Sequence, residues 1–179
     1  MKKNLVPFTL LLAVAVMFSF TSVNDKNAVP TTAKIGLEIG DEAPNIVMKG
    51  VDGKDLKLSS LRGKLVLIDF WASWCGPCRQ SFPWMNEMHS KYGAKGLVIV
   101  AINVDAMTAD AKKFLGETPA KFEIVYDAKG LTPKAFGIKG MPTSYLIDRT
   151  GKILSTHTGF NPAKKSEIET ALKRALETE

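Results

Sequence analysis

Leu65-Val66-Leu67-Ile68-Asp69-Phe70-Trp71-Ala72-Ser73-Trp74-Cys75-Gly76-Pro77-Cys78 holds the only two cysteines of a 179-residue chain. The apolar run at its start is rich in strand formers. Pro77 suits the first turn of a helix, where its missing N–H is not needed. The reading is a strand, a tight turn and a helix, with Cys75 at the helix N-terminus and Cys78 about one turn in. The unpaired N–H groups and the positive dipole end of a helix favour an anion, and a thiolate is the nucleophile of disulfide exchange. Lowering a thiol pKa from ~8.5 to ~7 raises the thiolate fraction at neutral pH roughly 15-fold. Lower basicity returns about a factor of 5 in nucleophilicity. The larger benefit is a better leaving group with its partner held in reach.

Other readings of the pair are weaker. As a structural staple it closes too short a loop to remove much chain entropy, ~2 kcal/mol at most. A structural zinc site wants four ligands; there is no second Cys pair, and His89 and His157 are far apart in sequence. Two inert buried thiols would not be expected at a strand-to-helix turn. C-x-x-C in a βα unit points to redox chemistry.

Outward from this stretch, the N-terminus differs in kind from the rest. Lys2 and Lys3 precede an uncharged, largely apolar run from Leu5 to Phe20, the n-region and h-region of a secretory signal. The run is short for a membrane span of about 20 residues. Residues 1–22 read as a signal peptide, or as an uncleaved N-terminal anchor, with cleavage expected near Ser22. Polar residues 23–36 read as a linker, and the folded domain as 37–179. No cysteine follows the apolar run, which argues against a lipid-modified N-terminus. Hydrophobic residues make up 45% of the chain, enough for a core. The formal charge is +6, two units of it from Lys2 and Lys3, and the lysines are scattered. A solvated surface is expected, and no nucleic acid. An exported domain with a single pair of cysteines keeps that pair for chemistry.

Ile46-Val47-Met48 and Leu56-Lys57-Leu58 flank Asp52-Gly53 as a hairpin. Phe82, Met85, Met88 and Tyr92 recur at helical spacing, with Pro83 expected to kink the helix. Leu97 to Val104 reads as a strand buried on both faces of a parallel sheet. A helix over 108–115, a strand over 122–126 and a short helix over 133–136 follow. Strands at 144–147 and 152–154 flank the turn Asp148-Arg149-Thr150-Gly151. Asn161 caps a last helix with Pro162 in its first turn; Ile168, Leu172 and Ala175 form its apolar face. The order, βαβ first and ββα last, predicts an α/β sandwich with mixed strands.

The chain resembles thioredoxin-fold proteins from about Leu65 to Glu179. The resemblance is carried by Asp69-Phe70-Trp71-Ala72, by Trp74 through Cys78, by Pro83 and by Gly137 through Thr143. Gly40-Asp41-Glu42-Ala43-Pro44, the hairpin and Leu61-Arg62-Gly63-Lys64 resemble the exported branch, the TlpA/ResA-like thiol-disulfide oxidoreductases. The implied fold is a central mixed sheet flanked by helices, with an N-terminal β-hairpin extension and an insertion over about 108–136, before the cis-proline region.

The resemblance also implies roles. Cys75 would be the exposed, attacking cysteine and Cys78 the buried, resolving one. Asp69 would handle the proton of Cys78; a carboxyl in an apolar strand has a raised pKa and can act as a base near neutrality, unless it lies at a solvent-exposed strand end. Trp71 and Trp74 would pack around the site. Trp74, Gly76 and Pro77 would meet the substrate, and Pro142 would be the cis-proline facing the cysteines, its X-Pro bond costing only about 0.5–1 kcal/mol in cis. Met141 would offer backbone groups to an extended chain. The redox-active disulfide Cys75–Cys78 would serve without a cofactor or metal. Two departures stand out. Cytosolic thioredoxins carry a lysine beside the buried acid, where alignment through Asn103-Val104-Asp105 puts Ala101. Exported cytochrome-maturation thioredoxins often carry an acidic residue after the cis-proline, where this chain has Thr143.

The implied function is reduction of protein disulfides outside the cytoplasm, in a periplasmic or extracytoplasmic space, with apocytochrome c among the candidate substrates. A membrane thiol-disulfide carrier would restore the dithiol, and the only membrane contact would be an uncleaved N-terminus. The alternatives are a disulfide-donating oxidant, a haem or copper chaperone using the two sulfurs, and a peroxiredoxin-like thiol peroxidase. The last needs a threonine three residues before its reactive cysteine, and that place before Cys75 is Ala72.

Overall fold

A computed structural model describes residues 37–178; the signal or anchor over 1–22 and the linker over 23–36 lie outside the described residues. Strand β3, Leu65–Trp71, is buried at all seven positions. It is flanked on one side by β4, Leu97–Asn103, in parallel, with Asp69 opposite Ala101. On the other side lies antiparallel β6, Thr143–Ile147, with Asp69 opposite Ser144. The near-continuous apolar runs of β3 and β4 are what a strand covered on both faces requires.

The sheet grows outward from this centre. β7, Ile153–Thr158, pairs with β6, and β5, Glu123–Tyr126, lies parallel to β4. β1, Val47–Gly50, pairs antiparallel with β5 and with β2, Asp55–Lys57. The order is β2-β1-β5-β4-β3-β6-β7. The expected hairpin is present, and its turn is held by Gly50 N–H donating to Lys54 O at 2.9 Å. Gly53 takes the left-handed conformation there, φ +79°, which glycine adopts at no steric cost. The expected insertion consists of helix α2, Thr108–Glu117, strand β5, and helix α3, Leu131–Phe136. β5 joins the hairpin to the core. The front segment lies along the start of β7: Ala43 N–H donates to Gly151 O, and Ile153 N–H donates to Asp41 O, each at 2.9 Å.

Alternation along β3 sends side chains into two cores. Leu65, Leu67 and Trp71 face helix α1, Gly76–Tyr92, and helix α4, Pro162–Glu177, against Phe82, Met85, Met88, Ile168 and Leu172. Val66, Ile68 and Phe70 face the other way, against Phe136, Tyr145 and Met48. Period 2 puts Asp69 on the Leu67–Trp71 face, the one covered by the helix that carries Cys78. α1 continues through Pro83 to Tyr92. Asn161 caps α4, its Oδ1 accepting from Lys164 N–H at 3.0 Å. β7 is longer than expected, reaching Thr158, because Ser155, Thr156, His157 and Thr158 carry almost no apolar signal; it is an edge strand, exposed at alternate residues.

Candidate active site

Cys75 is the N-cap of α1, in extended conformation, and its Sγ accepts from Cys78 N–H at 3.3 Å. Cys75 and Cys78 form a disulfide with Cα atoms 5.3 Å apart. Gly76 and Pro77 are exposed on the first turn. Cys75, expected to be exposed, is 5% exposed against 0% for Cys78. Its sulfur is turned into the helix end by its bond to Cys78 Sγ and by the Cys78 N–H, so the order of exposure holds while the thiol edge is narrow.

The turn before Cys75 is fastened from β4. Asp105, 2% exposed, accepts from Ser73 N–H at 3.0 Å, from Ser73 Oγ at 3.1 Å and from Asn103 Nδ2 at 2.8 Å. A buried carboxylate is tolerated when donors surround it in this way. Val104 N–H donates to Trp71 O at 3.0 Å, and Cys75 N–H to Ala72 O at 3.1 Å. The end of β3, the end of β4 and the first turn of α1 are thus tied together. Sequence reasoning used Asp105 only as a landmark and did not name it as part of the site.

Asp69 is 3% exposed, not at a solvent-exposed strand end. Oδ1 accepts from Ser144 Oγ at 2.7 Å. Oδ2 is buried with no hydrogen-bond partner among the described residues. Burial pushes the carboxyl up to about 7, against the opposing pull of the Ser144 hydroxyl. Ala101, directly opposite on β4, brings no charge.

The Met141–Pro142 bond is cis. Pro142 O accepts from Gly159 N–H at 2.8 Å and Thr143 Oγ1 donates to Gly140 O at 2.7 Å, which fixes the loop. Met141 is half-buried and packs on the core cluster that contains both cysteines. The two tryptophans part ways: Trp71 is a core residue at 0% exposure, and Trp74 stands out at 72%. Trp74 separates two open grooves. One, of about 490 Å³, is apolar and lined by Phe70, Val104, Pro133, Ile138, Gly140 and Met141, with Lys139 at its edge. The other, of about 380 Å³, carries Arg79, Asp110, Lys113 and Glu117 around Phe114. Among the described residues no group of three or more His, Cys, Asp or Glu is placed to hold a metal ion.

Residues 38–172 match the family model described as Redoxin. Over 138 residues the chain is 38% identical to the thiol-disulfide oxidoreductase ResA of Bacillus thuringiensis subsp. konkukian, covering 77% of this chain and 79% of the relative. It is 33% identical to ResA of Bacillus subtilis over 126 residues, 70% of each. A crystal structure from Chlorobium tepidum, named provisionally as the thiol:disulfide interchange protein DsbE, superposes with TM-score 0.77 at 55% identity, over 79% of this chain and 99% of that one. The thioredoxin domain of a thiol-disulfide oxidoreductase from Bacteroides vulgatus superposes with TM-score 0.68 at 26% identity, over 75% of this chain and 98% of that one.

Proposed function

The chain belongs to the Redoxin family and is a thiol-disulfide oxidoreductase, and from that premise we propose that it reduces protein disulfides outside the cytoplasm through Cys75 and Cys78. The observation that carries the reading is a cysteine at a helix N-cap whose partner sits on the helix covering the sheet face that carries a buried carboxyl. The Cys75 thiolate attacks one sulfur of a substrate disulfide; the other sulfur leaves as a thiolate and takes a proton from water. Cys78 then gives its proton to Asp69 and attacks Cys75 Sγ. The second substrate sulfur is released, and the two electrons of the dithiol have passed to the substrate. Substrate would lie over Gly76 and Pro77 beside Trp74, with its backbone against Met141 and Pro142.

Physical chemistry favours the reducing direction. A strong oxidant is one whose reduced form is stabilised. Here the Cys75 sulfur receives the single N–H of Cys78, and the acid on the covered face adds negative charge when ionised. Negative charge there works against a thiolate and so against the reduced form being strongly stabilised. The export reading rests on Lys2, Lys3 and the apolar run from Leu5 to Phe20. A membrane thiol-disulfide carrier would restore the dithiol, since no reductant pool is expected outside the cytoplasm, and apocytochrome c is a candidate substrate.

The test is the reduction potential of the pair, by equilibration with glutathione or dithiothreitol. Thioredoxin and a strong oxidant differ by about 150 mV, roughly 7 kcal/mol for a two-electron couple. A value of about −250 mV or lower is expected; one near −130 mV would make the protein a disulfide donor instead.

A further inference from the structure

The two oxygens of Asp69 lie in unlike surroundings. Ser144, 6% exposed, donates to Oδ1 at 2.7 Å, and Oδ2 is buried and unpartnered among the described residues. The contact is set by backbone register: Asp69 and Ser144 are directly opposite across the β3–β6 pair. Such residues share a face with Cβ atoms about 4.5–5.5 Å apart. On the other flank the opposite residue is Ala101, which has nothing to donate. Asp69 therefore has one hydroxyl donor, and that donor occupies one oxygen only.

We propose that Ser144 is a positioning residue for the proton step: by donating to Oδ1 it keeps the carboxyl available as a carboxylate and leaves Oδ2 as the oxygen that takes the Cys78 proton. The inference rests on Asp69 being the acceptor of that proton. A hydroxyl is suited to the task because it can donate to either form of the acid. When Oδ2 gains a proton, Oδ1 becomes carbonyl-like and still accepts from Ser144. The bond is stronger to the charged form, so it works against the desolvation that otherwise keeps a buried carboxyl protonated.

Few other groups enter the account. α1 contributes Cys78, bonded to Cys75 in this form. β4 contributes Ala101. One strand beyond Ser144 its register partner on β7 is His157, whose Nδ1 lies 3.7 Å from Glu167 Oε2 on α4, with Lys164 next to that carboxylate. Burial, foremost, holds the His157 imidazole below its ordinary range; as the titratable group paired in register with Ser144 it needs its own control.

The experiment follows resolution of a mixed disulfide between Cys75 and 2-nitro-5-thiobenzoate, by rapid mixing from pH 5 to 9.5, in the wild type and in S144A, S144T, D69N and H157Q. The Asp69 carboxyl is titrated in parallel by carbon-13 NMR in the wild type and the Ser144 variants. In S144A the midpoint is expected to rise by about one unit. Resolution at pH 7 then falls roughly 5-fold and recovers by about pH 9. S144T restores the midpoint, and H157Q leaves it unmoved. An S144A midpoint equal to that of the wild type, or an S144T midpoint equal to that of S144A, overturns the assignment of Ser144. A D69N profile identical to that of the wild type overturns the reading of Asp69 itself, and the positioning role with it. Loss of the titration in D69N with no shift in S144A removes Ser144 alone. If S144A does not fold, as judged by near-ultraviolet circular dichroism, S144G takes its place.

Discussion

Asp69 makes the clearest prediction at the scale of single residues. Its folded pKa, about 7, lies above the ordinary carboxylate value, so the folded state holds a proton that the unfolded state has released. The sign follows from linkage. The cost is absent below about pH 4, grows between about pH 4 and 7, and is complete above about 7, where it is on the order of 4 kcal/mol. D69N is therefore expected to be more stable than the wild type at pH 8 and about equal to it at pH 4, measured by denaturant unfolding at both pH values. Replacing Asp105 is expected to destabilise instead, through the donors it leaves unpaired. D105A strands the Ser73 N–H and the Asn103 amide in a buried place, and is expected to cost about 1–3 kcal/mol and to slow alkylation of the reduced Cys75 through a looser turn. Neither Ser144 nor Asp105 was legible as functional in the sequence. A serine beside a proline loop and an aspartate after a strand look like solvated strand ends. Only strand register puts the serine hydroxyl on a buried carboxyl and the aspartate under Ser73.

At the scale of elements, legibility followed apolar periodicity. β3, β4, α1 and α4 announce themselves through continuous runs or helical spacing, and their placement carried Asp69, Cys75 and Cys78 with them. β7 is legible only to Leu154 because its outward and inward residues beyond that point are both polar, so an edge strand resembles a loop. The hairpin strands lie closer to the turn than expected, gaining Lys49, Gly50 and Asp55 and losing Ile46 and Leu58, because the turn is closed by backbone bonds at Gly50 and Gly53 and not by side-chain pattern. Register again makes a prediction. Ala101 is fully buried and faces Asp69 across the parallel pair. A101K would set an ammonium beside the carboxyl and pull its midpoint below 7, read by the same carbon-13 titration, while overpacking costs about 1–3 kcal/mol. At the far end of the chain, N161A removes the cap from α4 and is expected to lower stability by about 1 kcal/mol, seen as a lower denaturant midpoint with the reduction potential unchanged.

For the whole molecule, redox state and stability are one quantity seen twice. Each 30 mV by which the folded pair lies below the unfolded pair corresponds to about 1.4 kcal/mol of extra stability in the disulfide form. A reductant is therefore expected to unfold at a higher guanidinium concentration when oxidised than when reduced, and equal midpoints would contradict the proposed direction. The overall architecture was legible because strand, cysteine pair and proline loop occur in one order at one spacing; how the N-terminal pieces are seated was not, because backbone pairing between distant segments leaves little trace in composition. That seating has a consequence of its own. Gly40 through Ala43 rest on Gly151–Ile153, the hairpin rests on β5, and β3 is closed on one side by β6. Most of what comes early in the chain waits for something late. A polypeptide delivered N-terminus first cannot complete this sheet until its tail arrives, and loop closures of that length make folding slow. Until that tail arrives, the early segments have no strand partners to lock against.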